Sequence, residues 1–272
     1  MSLLEGIILG IAQGLTEFLP VSSSGHLVLM QKIFKVEEPS LFFDTMLHLG
    51  TLTAVFAVLW KDIWEILKKP FQKLTLFLII ATIPAVIAAL VFDDSIESIF
   101  LSGYFLGWCF LITCALLVAA ELLSRRAVKN DNNLKKAQSM TWLHALFIGF
   151  MQALAIPPGI SRSGATISGA LFCKLDRDFA ARFSFLMSIP AILGAVVLQT
   201  KDLIQGSAAQ SEISINAGAV ITGTLFAAAV GFFAVKFMLK IIKEKSLFGF
   251  AIYTGLLGIL VLIDQFVTRF VF

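Results

Sequence analysis

Six stretches of the sequence are almost free of Asp, Glu, Lys and Arg, and each is long enough to cross a lipid bilayer. They occupy residues 42–60, 74–92, 99–120, 184–200, 213–235 and 246–263, with Asp44 as the only charge among them. A helix of about 20 mostly apolar residues spans the hydrocarbon core. None of the stretches alternates with the two-residue period of a barrel strand. We therefore predict an all-α polytopic membrane protein with six transmembrane helices.

The overall composition supports this prediction and excludes other classes of protein. Charged residues make up 14% of the 272 positions, against roughly 25% in a soluble domain, so a soluble fold of this size would lack a polar surface. The net charge of +3 is small and its residues are scattered, which argues against a nucleic-acid-binding protein. The bilayer is therefore the predicted partner of the chain, and nucleic acid is not.

Two further apolar stretches, at 6–16 and 140–156, end at sequences rich in Pro, Gly and Ser. The first runs into Glu-Phe-Leu-Pro-Val-Ser-Ser-Ser-Gly-His, and the second runs into Pro-Pro-Gly-Ile-Ser-Arg-Ser-Gly. A second short apolar piece follows each of them, at 26–34 and 165–174. This pattern is typical of a helix that is interrupted within the membrane, so we predict two re-entrant or broken helical segments.

The basic residues orient the spans, because cytoplasmic loops of membrane proteins carry an excess of Lys and Arg. Sixteen of the 21 basic residues fall on one side of the predicted spans, four fall on the other, and Arg162 lies within the second broken segment. The side with sixteen basic residues is cytoplasmic by this rule. Both termini are then predicted to be extracytoplasmic.

The chain divides into two halves with the same order of elements. Residues 1–123 form a first repeat, with a re-entrant segment at 1–40 and three spans. Residues 140–272 form a second repeat, with a re-entrant segment at 140–175 and three spans. A polar linker at 124–139 joins them on the cytoplasmic side. Because the charge bias gives the two halves opposite orientations, we predict an inverted-topology repeat within one membrane domain.

An inverted repeat brings two broken segments together from opposite faces of the membrane. A helix that begins within the membrane presents free N–H groups and the positive end of its dipole, and phosphate is the usual ligand there. The groups expected to bind phosphate belong to Ser22, Ser24, Gly25, Ser161, Arg162, Ser163, Gly164 and Thr166. The hydroxyl groups can instead cap their own helix turns, and both roles can hold at once.

Arg162 and Glu17 are the charged residues of the broken segments that most need an explanation. A guanidinium within a membrane costs about 2.5–3.5 kcal/mol on insertion scales, so it requires an anionic partner. Arg162 can clamp phosphate oxygens, or it can pair with Glu17. Glu17 can also bind a divalent cation, Mg²⁺ or Ca²⁺, together with Gln13, which lies four residues earlier on the same helix face.

His26 and Ser23 are the residues of the first broken segment that can move a proton or attack a phosphorus atom. His26 is a candidate general acid or base, and its alternative role is a hydrogen bond to a nearby carbonyl group. Ser23 is a candidate nucleophile, or a phosphate ligand or cap. His48 and His144 lie in apolar stretches and are expected to be satisfied interior histidines.

The sequence resembles the bacterial undecaprenyl-diphosphatase family of the bacitracin-resistance type, and the resemblance covers essentially the whole chain. It rests on Gln-Gly-Leu-Thr-Glu-Phe-Leu-Pro-Val-Ser-Ser-Ser-Gly-His at 13–26 and on Pro-Gly-Ile-Ser-Arg-Ser-Gly-Ala-Thr at 158–166. The resemblance implies hydrolysis of undecaprenyl diphosphate to undecaprenyl phosphate and inorganic phosphate. That reaction recycles the lipid carrier of peptidoglycan synthesis in the bacterial cytoplasmic membrane and confers bacitracin resistance.

The same resemblance implies roles for individual residues. Glu17, Ser23, His26 and Arg162 become the catalytic residues, a divalent cation is required, and the active site opens to the periplasmic side. The family accepts Glu or Gln at position 13, and Gln13 in this chain offers no carboxylate to a metal. The polyprenyl diphosphate is the expected lipid partner, and a homodimer is one of the oligomeric states left open.

Two other functions compete with this interpretation. A transporter or flippase of phosphate or polyprenyl phosphate can use the same architecture, because inverted repeats with broken helices are common in transporters. A membrane phosphatase of the type-2 phosphatidate-phosphatase class shares fragments of the motifs. That class ranks low, because the chain lacks its Lys…Arg-Pro element and its later His-Asp pair.

Overall fold

The computed structural model describes residues 1–36, 41–91, 102–130, 139–205 and 216–272. Within these residues the fold consists of α-helices joined by short turns, and it has no β-strand. The helices are α1 (Leu3–Thr16), α2 (Ser23–Ile33), α3 (Leu41–Val58), α4 (Trp60–Lys68), α5 (Lys73–Val91), α6 (Leu106–Asn130), α7 (Trp142–Leu154), α8 (Arg162–Phe172), α9 (Arg177–Gln205), α10 (Ala217–Glu244) and α11 (Phe248–Ile263). A π-helical turn, Asp264–Thr268, extends α11.

The long apolar helices confirm a multi-pass membrane protein. Five helices of the described chain, α5, α6, α9, α10 and α11, are long and apolar enough to cross a bilayer. The number becomes six if α3 and α4, which meet at an angle of 80°, are counted as one broken span. The first predicted span therefore corresponds to α3, and the chain turns sharply at Leu59 before α4 begins.

Parts of five predictions fall outside the described residues. These are 37–40 of the first re-entrant segment, residue 92 at the end of one predicted span, 99–101 and 213–215 at the starts of two others, and 131–138 of the predicted linker. Helix α6 extends to Asn130, so the first seven residues of that linker are helical in the structure. The helices of the spans predicted at 42–60, 74–92 and 246–263 agree with these bounds within two residues, but three others are longer than predicted: α6 ends at Asn130 rather than at 120, α9 begins at Arg177 rather than at 184, and α10 ends at Glu244 rather than at 235.

Helices α1 and α7, the two short apolar helices, pack against long helices from the opposite half of the chain. Helix α1 lies along α10, and α7 lies along α5. Gly10 of α1 faces the backbone of Gly223 in α10, and Gly149 of α7 faces the backbone of Ala81 in α5. Such close approach of helix backbones is how helices associate in a bilayer, where water does not drive their burial.

Gly10→Ala is expected to destabilise the fold, because an added methyl group would overlap the carbonyl oxygen of Gly223. Overpacking of this kind costs about 1–3 kcal/mol. We predict a lower thermal midpoint of the purified protein in detergent. The matched control is Gly194→Ala in α9, where an added Cβ would lie within 4 Å of no atom in the described chain. An unchanged midpoint for Gly10→Ala would show that the α1–α10 contact is not tight.

Glu121 joins three helices at the end of the bundle where the charge count places the cytoplasm. Its buried carboxylate accepts hydrogen bonds from Arg125 Nε at 2.6 Å, from Arg177 Nη2 at 2.6 Å and from the backbone N–H of Leu247 at 3.1 Å. Arg182 contacts Asp62 nearby along α9, at 2.9 Å. Basic residues from two of the predicted cytoplasmic segments therefore lie together at one end.

Candidate active site

The first broken segment turns between α1 and α2. Glu17 caps the C-terminal end of α1, and Ser22 caps the N-terminal end of α2, where its Oγ accepts from the N–H of Gly25 at 3.3 Å. Helix α2 begins at Ser23, three residues before the start expected from the sequence. Ser22 has φ of 68°, a left-handed conformation that is unfavourable for a residue with a side chain.

The second broken segment repeats this arrangement between α7 and α8. Ser161 caps α8 and accepts from the N–H of Gly164 at 3.0 Å, so Arg162 is the first residue of that helix. The N–H of Ser161 donates to the hydroxyl of Thr113 in α6 at 2.9 Å. Gly159 has φ of 96°, which its lack of a side chain permits.

Direct contacts join the two broken segments to each other. The N–H of Gly159 donates to Ser22 Oγ at 3.1 Å, and Ser163 Oγ donates to the carbonyl of Leu19 at 3.1 Å. Arg162 Nη2 donates to Glu17 Oε1 across the same junction. Residues more than a hundred positions apart in the sequence therefore form one site, as the convergence of the two motifs predicts.

Glu17 is the centre of the site. Its carboxylate is buried and pairs with the guanidinium of Arg162 through Oε1. Its Oε2 accepts from Ser23 Oγ at 2.5 Å and from Gln13 Nε2 at 2.9 Å. The ion pair that the sequence offered as one explanation for Arg162 is thus present. The short contact with Ser23 adds a hydroxyl group directly beside the carboxylate.

Arg162 keeps access to its surroundings while it pairs with Glu17. Its side chain is 19% exposed, against 3% for Glu17. A guanidinium carries five N–H groups, and the contact through Nη2 leaves others for a second anion. The ion pair and a phosphate clamp are therefore compatible in this geometry.

His48 is the site residue that sequence reasoning assigned elsewhere. Its Nε2 lies 3.4 Å from Glu17 Oε2, and its Nδ1 lies 2.7 Å from the backbone oxygen of Asp44. The side chain is 26% exposed. The sequence contained one indication of the position of His48. It lies four residues after Asp44, so both residues are on one face of α3. Helix α3 packs against α1, whose C-terminal end Glu17 caps.

His26 lies in α2 with both ring nitrogens engaged. Nδ1 is 2.7 Å from the backbone oxygen of Ser22, and Nε2 is 2.7 Å from the hydroxyl of Tyr253 in α11. The hydrogen bond to a nearby carbonyl that the sequence offered as an alternative is therefore formed. Tyr253 was not identified from the sequence, because it is separated from His26 by 227 positions.

The remaining residues expected to bind phosphate are held mainly by contacts within the protein. Thr166 is fully buried, and its hydroxyl contacts Ser184 at 2.6 Å. The hydroxyl of Ser24 lies 3.4 Å from that of Ser22 and is partly exposed. Gly25 packs against the backbone of Gly159 with no room for a side chain. Capping and packing are thus visible roles of these positions, and phosphate binding stays a prediction for them.

A divalent cation at Glu17 and Gln13 stays a prediction in this structure. Within the described chain, no cluster of three His, Cys, Asp or Glu side chains is arranged to hold a metal ion. Among the same residues, Gln13 Oε1 is buried without a hydrogen-bond partner, on the amide whose Nε2 donates to Glu17 Oε2. Two protein oxygens together with phosphate and water oxygens are a typical set for Mg²⁺.

Known proteins resemble this chain over nearly its whole length. The sequence model of the family described as Bacitracin resistance protein BacA matches residues 6–260. Undecaprenyl-diphosphatase 3 of Bacillus cereus is 49% identical over 270 residues, which cover 99% of this chain and 100% of that protein. The undecaprenyl-diphosphatase of Carboxydothermus hydrogenoformans is 46% identical over 270 residues, again 99% and 100% of the two chains. That of Methanosphaera stadtmanae is 36% identical.

Proposed function

The chain belongs to the family of the bacitracin resistance protein BacA, and from this premise we propose how it acts as an undecaprenyl-diphosphatase. It removes the terminal phosphate of undecaprenyl diphosphate and leaves undecaprenyl phosphate. We assign the reaction to this site because Arg162 and Ser23 both contact Glu17 there. In a chain with few charged residues, these contacts bring together a guanidinium, a carboxylate and a hydroxyl group that can act as a nucleophile.

Arg162 and the two helix starts bind the diphosphate in this proposal. The guanidinium holds phosphate oxygens through the N–H groups that Glu17 does not use. Helices α2 and α8 begin at Ser23 and Arg162, and their N-terminal dipoles favour negative charge there. All these groups are fixed before the substrate arrives, so they stabilise charge that develops on the transferred phosphoryl group.

Ser23 is the proposed nucleophile, because its hydroxyl donates to Glu17 at 2.5 Å. Glu17 takes the proton as Oγ attacks the terminal phosphorus, and the bond from that phosphorus to the bridging oxygen breaks. Undecaprenyl phosphate leaves, and water then attacks the phosphorus of the phosphoserine. The bond from phosphorus to Ser23 Oγ breaks, Glu17 returns its proton to Oγ, and inorganic phosphate leaves. His26 accepts a proton from the attacking water. A direct attack by water on the substrate, also activated by His26, is the alternative route.

Ser23→Ala separates these two routes. The serine route predicts a loss of phosphate release of at least about 100-fold, together with a phosphoserine on Ser23 of the wild-type chain after rapid acid quenching with labelled substrate. The matched control is Ser246→Ala, which removes a hydroxyl outside the two broken segments, where it accepts from the N–H of Phe248. Full activity of Ser23→Ala would eliminate the serine route.

A divalent cation, Mg²⁺ or Ca²⁺, is proposed to bind Glu17 and Gln13. The support is the buried, unpartnered Oε1 of Gln13, on the amide group that contacts Glu17 through Nε2. When bound, the cation would neutralise phosphate charge and polarise a phosphoryl oxygen. Removal of divalent ions with EDTA is the corresponding test of activity.

The inverted repeat, with halves 1–123 and 140–272, is proposed as the architecture that builds the site. Contacts related by the exchange of the two halves support it. Gly25 packs against Gly159, and their counterparts 139 positions away, Gly164 and Pro20, also lie side by side. Helix α1 lies along α10 in the same way that its counterpart α7 lies along α5.

The proposed location is the bacterial cytoplasmic membrane, with both termini and the opening of the site on the periplasmic side. Met1 packs against the same hydrophobic cluster as Phe34 at the end of α2, and Lys32 of α2 lies over the ring of Phe272, which supports both termini at one end of the fold. Recycling of the lipid carrier for peptidoglycan synthesis is the proposed cellular role. A homodimer stays a prediction.

A purified wild-type chain tests the proposed function against the transporter hypothesis. We expect it to release inorganic phosphate from undecaprenyl diphosphate in detergent, with Mg²⁺ or Ca²⁺ present. The geometry favours the enzyme, because the Ser23–Glu17 contact supplies a nucleophile and base that binding alone does not require. Measurable lipid binding without release, with every cation tried, would instead favour a transporter or flippase.

A further inference from the structure

Tyr253 links the last long helix to the catalytic segment. It belongs to α11, an otherwise apolar helix, and its hydroxyl lies 2.7 Å from His26 Nε2. The neighbouring hydroxyl of Thr254 bonds instead to the backbone of its own helix. Tyr253 is therefore the polar side chain through which α11 reaches the first broken segment in the described chain.

The partners of His26 determine which nitrogen carries its proton. Nδ1 lies 2.7 Å from the carbonyl oxygen of Ser22, and a carbonyl oxygen can only accept a hydrogen bond. Nδ1 must therefore be protonated. In a neutral imidazole Nε2 then has a free electron pair, and the hydroxyl of Tyr253 must be the donor to it.

Aromatic contacts fix the plane of the imidazole as well. The ring of Tyr253 is nearly parallel to it, with an angle of 6° and centroids 5.7 Å apart. Phe110 meets it edge-on, at 82° and 5.6 Å. His26 is only 8% exposed. The ring is thus held by two hydrogen bonds and two aromatic faces before substrate binds.

We propose that Tyr253 is a positioning residue for His26 in the phosphatase reaction. Its hydroxyl donates to Nε2 and keeps the imidazole correctly placed between turnovers. Because the single lone pair of Nε2 points at this hydroxyl, the proton of the attacking water reaches His26 through it. Tyr253 passes its hydroxyl proton to Nε2, takes one from the water, and then accepts a hydrogen bond from the new N–H. The proton remains on His26, and Tyr253 is chemically unchanged. This inference rests on the proposed function, because it requires the catalytic role of His26.

A double-mutant cycle measures whether Tyr253 acts through His26. Tyr253→Phe keeps the ring and removes only the hydroxyl. We expect it to lower kcat about tenfold with KM little changed, and to have no further effect in the His26→Ala background. The matched control is Tyr104→Phe, which alters the other tyrosine of the chain and should match the wild type. An unchanged kcat, or equal losses in both backgrounds, would overturn the proposal.

The tautomer of His26 gives a second test that does not depend on activity. Nitrogen NMR of histidine-labelled protein in detergent, with His26→Ala used for assignment, should show His26 protonated at Nδ1. Tyr253→Phe should keep this tautomer, because the carbonyl oxygen of Ser22 still accepts from Nδ1, but it should shift the Nε2 resonance by removing the hydrogen bond from the tyrosine hydroxyl. Tyr104→Phe should not shift it. An Nε2 resonance that is the same in wild type and Tyr253→Phe would overturn the positioning role. A wild-type chain that releases no phosphate would contradict the proposed function itself, whatever the tautomer.

Discussion

Arg162→Lys is expected to lower kcat/KM for undecaprenyl diphosphate at least about 100-fold. The lysine keeps a positive charge opposite Glu17, so the buried carboxylate is not left alone. The lysine lacks the planar guanidinium group, whose several N–H donors can bind Glu17 and phosphate oxygens at the same time. The measurement is phosphate release at several substrate concentrations, together with the thermal midpoint of each variant in detergent.

The control for this substitution is Arg126→Lys, an exposed arginine near the C-terminal end of α6. It should leave both activity and stability unchanged. A variant Arg162→Lys that retains wild-type kcat/KM would show that Arg162 serves only as a counterion for Glu17. In that case the helix starts alone would have to bind the diphosphate.

Glu17→Gln is expected to reduce kcat about 1000-fold or more. The substitution keeps the size of the side chain, but an amide cannot take the proton of Ser23 and pairs poorly with Arg162. Binding of the lipid should change much less than kcat, because the phosphate contacts belong to Arg162 and the helix starts. The measurement is single-turnover phosphate release beside a binding titration.

Glu65→Gln is the matched control, because Glu65 is exposed on α4. It should behave as the wild type in both measurements. If Glu17→Gln released phosphate at the wild-type rate, Glu17 would be neither the base for Ser23 nor an essential ligand of a cation. Another group would then have to act as the base, and His48 would be the candidate because it is the other titratable group beside this carboxylate.

The sequence was sufficient to locate the two broken segments and most of what they contain. Low charge made Glu17 and Arg162 conspicuous, and Pro, Gly and Ser marked the breaks beside them. Ser22 and Ser161 were identified correctly as residues that can cap a helix. These inferences succeeded because each depends on local chemistry, on a few consecutive residues and on the cost of charge in a bilayer.

His48 and Tyr253 could not be placed in this way, because their roles depend on contacts between distant helices. The spacing of Asp44 and His48 places both on one face of α3 but does not show that this face meets Glu17, and nothing local to Tyr253 indicates that it reaches His26. The start of α2 was also expected three residues too late. The residue whose hydroxyl caps a helix lies just before the first helical residue. A run of three serines therefore allows several start positions for α2. The hydrogen bond from the N–H of Gly159 to Ser22 Oγ favours Ser22 as the cap.

The most direct measurement combines lipid binding and phosphate release in one preparation of the purified wild-type chain. The account predicts that bound undecaprenyl diphosphate is converted to undecaprenyl phosphate with release of one phosphate. Under the same conditions Glu17→Gln should bind the lipid and release almost none. Binding by the wild type with no conversion, or equal conversion by Glu17→Gln, would contradict the claim that the two broken helices form a catalytic site.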